Sequence, residues 1–225
     1  MHPKNTLLSH GDIPDWAFSS TESILASLRA VDPTTFYHCL RVGEYARHLA
    51  RAMGLPDYQQ RLAQFSGLLH DVGKMGVDQA IIHKPGKLTE LEYDAMKSHS
   101  VLSEEIIRPM AHHEFFQQVL PAVRGHHERM DGEGYPDKKI GDEIPLLSRL
   151  ILVVDTLDAM THDRAYRKGL PIDVVYRELI RCSGSQFDMN LVKVFLESHK
   201  HWQGESADRE TLARVAPSVT NLKAA

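Results

Sequence analysis

The alternation of apolar and polar residues along this chain has a helical period almost throughout. Segment 34–54, TTFYHCLRVGEYARHLARAMG, lines up Cys39, Val42, Ala46, Leu49 and Ala50 as one apolar stripe and closes with a glycine, which predicts an amphipathic helix. Segment 57–70 after Pro56 reads as a second helix. Thr89 and Glu92 stand at capping-box spacing, and the helix they open is expected to run through His99 toward Ile107. Segments 114–126, 171–183 and 189–199 add further helices. Segment 145–162, PLLSRLILVVDTLDAMTH, is the most apolar and reads as the central helix. Its run from Leu150 to Asp155 has the composition of a buried strand. Helix is preferred, because Leu147, Leu150, Ile151, Val154 and Leu157 recur at helical spacing and no other run offers a strand partner.

Turn-forming residues separate these segments at Lys84-Pro85-Gly86-Lys87 and at Asp131-Gly132-Glu133-Gly134-Tyr135-Pro136. Residues 1–18 and 203–225 are polar and weakly patterned, and read as extensions. The pattern implies an all-α helical bundle of seven or more helices. Its expected divisions are an N-terminal extension over 1–29, a catalytic domain over 30–202 and a C-terminal tail over 203–225.

Composition narrows the function classes. The chain has 225 residues, enough for one domain with a sizeable core. Its net charge of -4 gives no broad basic surface for DNA. A polyanionic ligand would therefore need a local positive site. The two cysteines, Cys39 and Cys182, form neither a ligand pair nor a disulfide framework, so a reducing cytoplasm is expected. No apolar run is long enough for membrane insertion, and the N-terminus lacks a signal-peptide layout.

Histidine is the compositional outlier, with 14 copies. Position gives the count meaning. His70-Asp71 is an adjacent imidazole and carboxylate near a helix end, and a carboxylate has two oxygens with which to bridge two cations. His38 precedes this pair by one helix, His99 follows by one, and His126-His127 stand just before the glycine-rich loop. Asp155 lies inside the most apolar segment, where an unpaired carboxylate is costly. A structural salt bridge is the alternative for Asp155, but a metal explains its burial better. The nitrogen and oxygen donors, with no thiolate, suit iron, manganese, zinc or nickel. Two such ions side by side can clamp the oxygens of an in-line phosphoryl displacement. His112-His113 lies outside this arrangement and reads as a decoy. His162 shares a helix face with Asp155 and is a candidate pocket residue, whereas His48, His83, His199 and His201 read as surface.

Two motifs resemble a known family. His70-Asp71-Val72-Gly73-Lys74 has the form H-D-x-G-K, and residues 126–136 match H-H-E-x-x-D-G-x-G-Y-P. Together they resemble an HD-GYP domain, over roughly residues 30–200. The resemblance continues through residues 38–42, 84–89, 155–161 and 186–188. It implies a binuclear centre, with iron or manganese as the two divalent ions, and hydrolysis of cyclic di-GMP, a bacterial second messenger. By motif, His38, His70, Asp71 and Asp155 would hold one ion. Asp71 would be shared with a second ion held by His99, His126 and His127. Asp71 and Lys74 would be the catalytic residues, Lys74 contacting the scissile phosphate. Tyr135, Arg164 and Arg167 would hold the substrate's phosphates or bases.

Residue chemistry agrees with this assignment. The lysine and arginines supply the positive charge that the net balance lacks. Glycines 132 and 134 allow a tight turn. Asp158 lies one helical turn from Asp155 and is a candidate for orienting a ligand or water. Some family members carry a glutamate four residues before the first ligand histidine and bind a third metal. Thr34 stands there in this chain, so two ions and a linear product, pGpG, are expected. Two further readings stay open: a module that senses the nucleotide without hydrolysing it, and a phosphohydrolase of the wider HD superfamily acting on another nucleotide. The intact ligand positions count against the first and the G-Y-P loop against the second. A homodimer or a signalling-protein partner is left open.

Overall fold

A computed structural model of the chain describes residues 13–162 and 168–202. Its helices are α1 (Asp15–Val31), α2 (Pro33–Ala52), α3 (Asp57–Leu69), α4 (Gln79–Ile82), α5 (Glu90–Lys97), α6 (His99–Ile107), α7 (Glu114–Arg124), α8 (Leu146–Thr161), α9 (Ile172–Arg181) and α10 (Met189–Ser198). Among the described residues there is no strand, only one isolated bridge between Ser183 and Phe187. The fold is an all-α bundle, as the helical periodicity predicts. The apolar run around Leu150 is helical within α8, with Leu150, Ile151, Val153 and Val154 fully buried.

The helix starts follow from side-chain capping. Asp32 accepts the main-chain N–H of Thr35 at 3.0 Å, and Pro33 occupies the first turn of α2, where a missing N–H costs nothing. Thr89 and Glu92 close the expected capping box at the start of α5. Asp188 accepts the N–H groups of Asn190 and Leu191 to start α10.

Two expectations need correction. The stretch assigned to an N-terminal extension contains α1, whose Ala17, Phe18, Leu25 and Leu28 pack into the core against α2 and α3. Its apolar positions are spread among serines and threonines, so the stripe is weak in sequence. The single helix expected to run from Thr89 to Ile107 is broken at Ser98 into α5 and α6. There the Ser98 main-chain N–H and hydroxyl both donate to the Ala95 carbonyl, at 3.2 and 2.7 Å, and the His99 ring takes the Met96 carbonyl at 2.7 Å. Side chains that occupy helix carbonyls compete with the ladder and favour a break.

The core has two lobes with α2 and α3 between them. One joins α1, the first half of α2, α3 and α7, centred on Phe65, Phe115 and Phe116. The other joins the second half of α2 with α8, α9 and α10, around Leu157, Leu179 and Phe195. This arrangement directs the facing sides of α2, α3 and α8 toward one point. No helix among the described residues is long and apolar enough to cross a membrane.

Candidate metal centre

Five elements converge at that point. His38 comes from the second turn of α2, His70 and Asp71 from the end of α3, and His99 from the start of α6. His126 and His127 follow α7, and Asp155 comes from the middle of α8. The approach of α6 depends on Gly73. A Cβ there would lie 2.1 Å from the His99 carbonyl oxygen and 2.3 Å from the Ser103 N, distances no side chain tolerates. The bare backbone instead lets the Gly73 N–H donate to Ser103 Oγ at 2.7 Å, which brings His99 beside Asp71. The glycine of H-D-x-G-K is thus a packing requirement of the site.

The hydrogen bonds of the rings decide which nitrogens are bare. Nδ1 of His70 donates to the Gly67 carbonyl at 2.7 Å, that of His99 to Met96 at 2.7 Å, and that of His126 to Val123 at 2.6 Å. A neutral imidazole has one N–H, so each of these rings presents an unprotonated Nε2 inward. Burial holds His70 and His99 below the ordinary imidazole range. Burial and the neighbouring His127, His70 and His99 hold His126 well below it. Burial, with His99 adding to it, pushes His127 down to about 3. Nε2 of His99 and Nε2 of His126 nevertheless lie 3.2 Å apart with no proton to share.

Asp71 completes the convergence. Its Oδ1 is buried without a hydrogen-bond donor and lies 3.2 Å from Nε2 of His99 and 4.0 Å from that of His126. Leaving such an oxygen unmatched costs about 1–3 kcal/mol. Burial favours the neutral acid, but Lys74, His70 and His38 outweigh it and hold the carboxyl well below the usual range. Two bare imidazole nitrogens and a carboxylate oxygen in one buried space are the donor set of a cation. Ligand atoms fall within 4.8 Å of one another in three groups: His38 with His70 and Asp155; His70 with Asp71 and His126; and His99 with His126 and His127. All seven residues suggested by the motifs therefore meet, and they fit metal ions.

The His38 side differs electrostatically. Burial disfavours a charged His38, but Asp155, Asp158 and Asp71 overcome this and push its pKa up to about 10. Its Nε2 lies 3.1 Å from Asp155 Oδ1 and 3.2 Å from Nε2 of His70, and its Nδ1 lies 2.6 Å from Asp158 Oδ2. A cation on this side must displace the Nε2 proton. Asp158 orients His38, the supporting position that its spacing from Asp155 suggested.

The turn after α7 is built around Glu128, whose carboxylate accepts the main-chain N–H groups of Asp137 and Lys139 at 2.6 and 3.1 Å. Gly134 packs against its own loop, where a Cβ would lie 2.5 Å from the Arg129 N and 2.6 Å from the His127 carbonyl oxygen. Tyr135, joined to Pro136 by a cis peptide, is thereby set against His127, with ring centroids 4.7 Å apart. Burial, with nearby Tyr93, Asp71 and Asp155, pushes its phenol far above the ordinary range. It is a hydrogen-bond donor at neutral pH, never a base. Lys74 lies over the cluster and donates to Asp71 Oδ2 at 2.5 Å.

Arg164 and Arg167 lie outside the described residues. His162 approaches Asp158 Oδ1 at 3.1 Å. His112 stacks on Trp16, and His113 caps α7, so that pair is structural. His48, expected at the surface, is buried and stacked on Trp202 at 5.3 Å, because α2 turns that face toward the end of the second lobe. Sequence reasoning gave no role to Arg41 or Glu128. Glu128 lies within the matched signature, and Arg41 stands one turn after His38, so spacing could have flagged both.

The HD domain family model matches residues 19–191. Among curated proteins, the chain is 39% identical over 144 residues to the 3'3'-cGAMP-specific phosphodiesterase 3 of Vibrio cholerae, covering 64% of this chain and 31% of that protein. It is 32% identical over 186 residues to a cyclic di-GMP phosphodiesterase of Thermotoga maritima, covering 83% of this chain and 50% of that protein. The chain thus spans about a third to a half of the length of these relatives. Among solved structures, an HDG"Y"P protein from Bdellovibrio bacteriovorus has a similar fold, with a TM-score of 0.61 at 16% identity over 83% of this chain and 63% of that one.

Proposed function

Because the chain belongs to the HD domain family and carries the HD-GYP signature, we propose that it is a metal-dependent phosphodiesterase that hydrolyses a cyclic dinucleotide, cyclic di-GMP first among them. The observation that carries this reading is the His99–His126–Asp71 convergence, three unprotonated donors in one buried space beside a lysine.

His38, His70, Asp71 and Asp155 would hold one ion, and Asp71, His99, His126 and His127 the other. Iron or manganese suits this donor set. Such a pair of ions supplies Lewis-acid charge at a phosphoryl group. The chain's own residues do the rest. The Lys74 ammonium, which donates to Asp71 Oδ2, would also donate to a phosphate oxygen of the substrate. Tyr135 keeps its proton and can donate to the substrate while its ring walls the site beside His127. Arg164 and Arg167 are assigned to the phosphates or bases from the sequence. Water adds its oxygen to phosphorus, one P–O bond of the ring opens, and the departing ribose oxygen takes a proton, leaving the linear dinucleotide.

The choice among cyclic dinucleotides is finer than the metal chemistry. Similarity to a 3'3'-cGAMP-specific phosphodiesterase favours 3'3'-cGAMP as the second candidate. Incubating manganese-loaded protein with cyclic di-GMP, 3'3'-cGAMP and cyclic di-AMP, with products separated by chromatography, tests the reading. The expected result is a linear product, formed fastest from cyclic di-GMP and abolished by chelation. Faster turnover of 3'3'-cGAMP would reassign the substrate, and no turnover of any would refute the enzyme.

A further inference from the structure

His38 and Arg41 stand one turn apart on α2, and Asp155 and Asp158 one turn apart on α8. The four side chains are linked across the two helices. His38 Nε2 faces Asp155 Oδ1 at 3.1 Å, and His38 Nδ1 meets Asp158 Oδ2 at 2.6 Å. Arg41 grips the same carboxylate with both arms, Nε donating to Oδ1 at 2.6 Å and a terminal nitrogen to Oδ2 at 2.9 Å. Asp158 is 2% exposed, so solvent does not orient it.

We propose that Arg41 is a positioning residue for the His38 side of the metal centre, and that it acts only through Asp158. This rests on the two-cation reading of the site. A guanidinium fork accepts a carboxylate in one plane, which a lysine ammonium cannot enforce. With that plane set, Oδ2 is aimed at Nδ1 of His38, the ring cannot turn, and Nε2 points at the ion position. Without Arg41, the carboxylate is free to turn toward His162, which already lies 3.1 Å from Oδ1, and His38 loses its fixed orientation. Among the described residues, Arg41 hydrogen-bonds Asp158 and none of the seven donor residues. Removing partners of this kind weakens metal binding by about 10- to 100-fold.

The test is a calorimetric titration of the metal-free chain with manganese for wild type, Arg41→Gln, Arg41→Lys, Asp158→Asn and the Arg41→Gln/Asp158→Asn double variant. Ring-nitrogen NMR of His38 in the metal-free samples accompanies it. In Arg41→Gln, one binding event should weaken by roughly tenfold or more while the other, made by His99, His126 and His127, stays as in wild type. In the Asp158→Asn background the same change should have no further effect. Arg41→Lys should resemble Arg41→Gln, which keeps the test decisive if the glutamine variant does not fold. Native affinity for both ions in either single Arg41 variant, equal weakening of both sites, or an additive double variant would overturn the proposal. If wild type takes up no manganese, the two-cation reading fails by itself. The His38 ring nitrogens then decide, and an unchanged spectrum in Arg41→Gln and Arg41→Lys overturns the proposal.

Discussion

Nε2 of His99 and Nε2 of His126 face each other at 3.2 Å, and each ring has its N–H committed to a main-chain carbonyl. Two lone pairs so placed repel unless something positive lies between or beside them. Asp71 Oδ1, buried and without a donor, adds negative charge at 3.2 Å from His99. The main-chain carbonyls of Met96 and Val123 hold these two rings, and that of Gly67 holds the neighbouring His70.

Asp71 stands in both halves of the proposed centre. Asp71→Ala should abolish turnover and lower metal content, while far-UV circular dichroism stays helical. Elemental analysis and a product assay check this. Full metal loading with a near-native rate would sink the shared-ligand assignment.

Gly73→Ala should be severe for a residue that touches no ion. The added methyl meets the His99 carbonyl oxygen and the Ser103 N, both main-chain atoms, so α6 must shift. Overpacking of this kind costs about 1–3 kcal/mol or more. The expected outcome is a lower Tm and loss of the ion held through His99, with the His38 side keeping its own. An unchanged Tm would show that α6 slides freely over this turn.

Tyr135 lies beside the ligand set and outside it, against the His127 ring. Tyr135→Ala should leave metal content intact and weaken substrate engagement. Tyr135→Phe isolates the phenol and should lose about 1–2 kcal/mol of transition-state binding, roughly five- to thirtyfold in kcat/KM. Metal loss with unchanged substrate affinity would mean that the ring supports the ligands instead.

The metal-free protein should be most stable near neutral pH. His70, His99, His126 and His127 sit below the ordinary 6.5, His127 at about 3. The unfolded chain therefore binds more protons than the folded one below about 6.5, and stability falls as pH drops. His38, raised to about 10, acts oppositely, its contribution being present below 6.5 and lost as pH rises through 10. Melting curves of chelator-treated protein from pH 4 to 10 should thus peak between these limbs. A monotonic rise in Tm toward high pH would contradict the raised His38.

Thr34 is exposed, one turn before His38 on α2, and offers a neutral hydroxyl where a carboxylate could reach a further ion. The native chain should bind two ions and release mainly the linear dinucleotide. Thr34→Glu is expected to increase GMP formation only if a third ion is recruited. Three fully occupied ions in the native protein, seen by anomalous scattering, would refute this reading of Thr34.

The helical architecture is legible in the sequence, and so are the residues of the candidate site. Helical spacing of Leu150, Ile151, Val154 and Leu157 is a local property, as is the Thr89–Glu92 cap, and both can be read without knowing what packs where. The seven donor residues declare themselves by type and motif. The rest depends on partners distant in the chain and emerges only on packing. The weak stripe of α1 becomes core against Phe65 and Phe116, and His48 is buried at the end of the second lobe, stacked on Trp202. The break at Ser98 turns on side chains outcompeting the helix ladder for the carbonyls of Ala95 and Met96. Which histidine nitrogen faces inward is set by carbonyls at three helix ends. Arg41 acquires its place through Asp158, 117 residues away, a relationship that exists only once α2 and α8 are packed together.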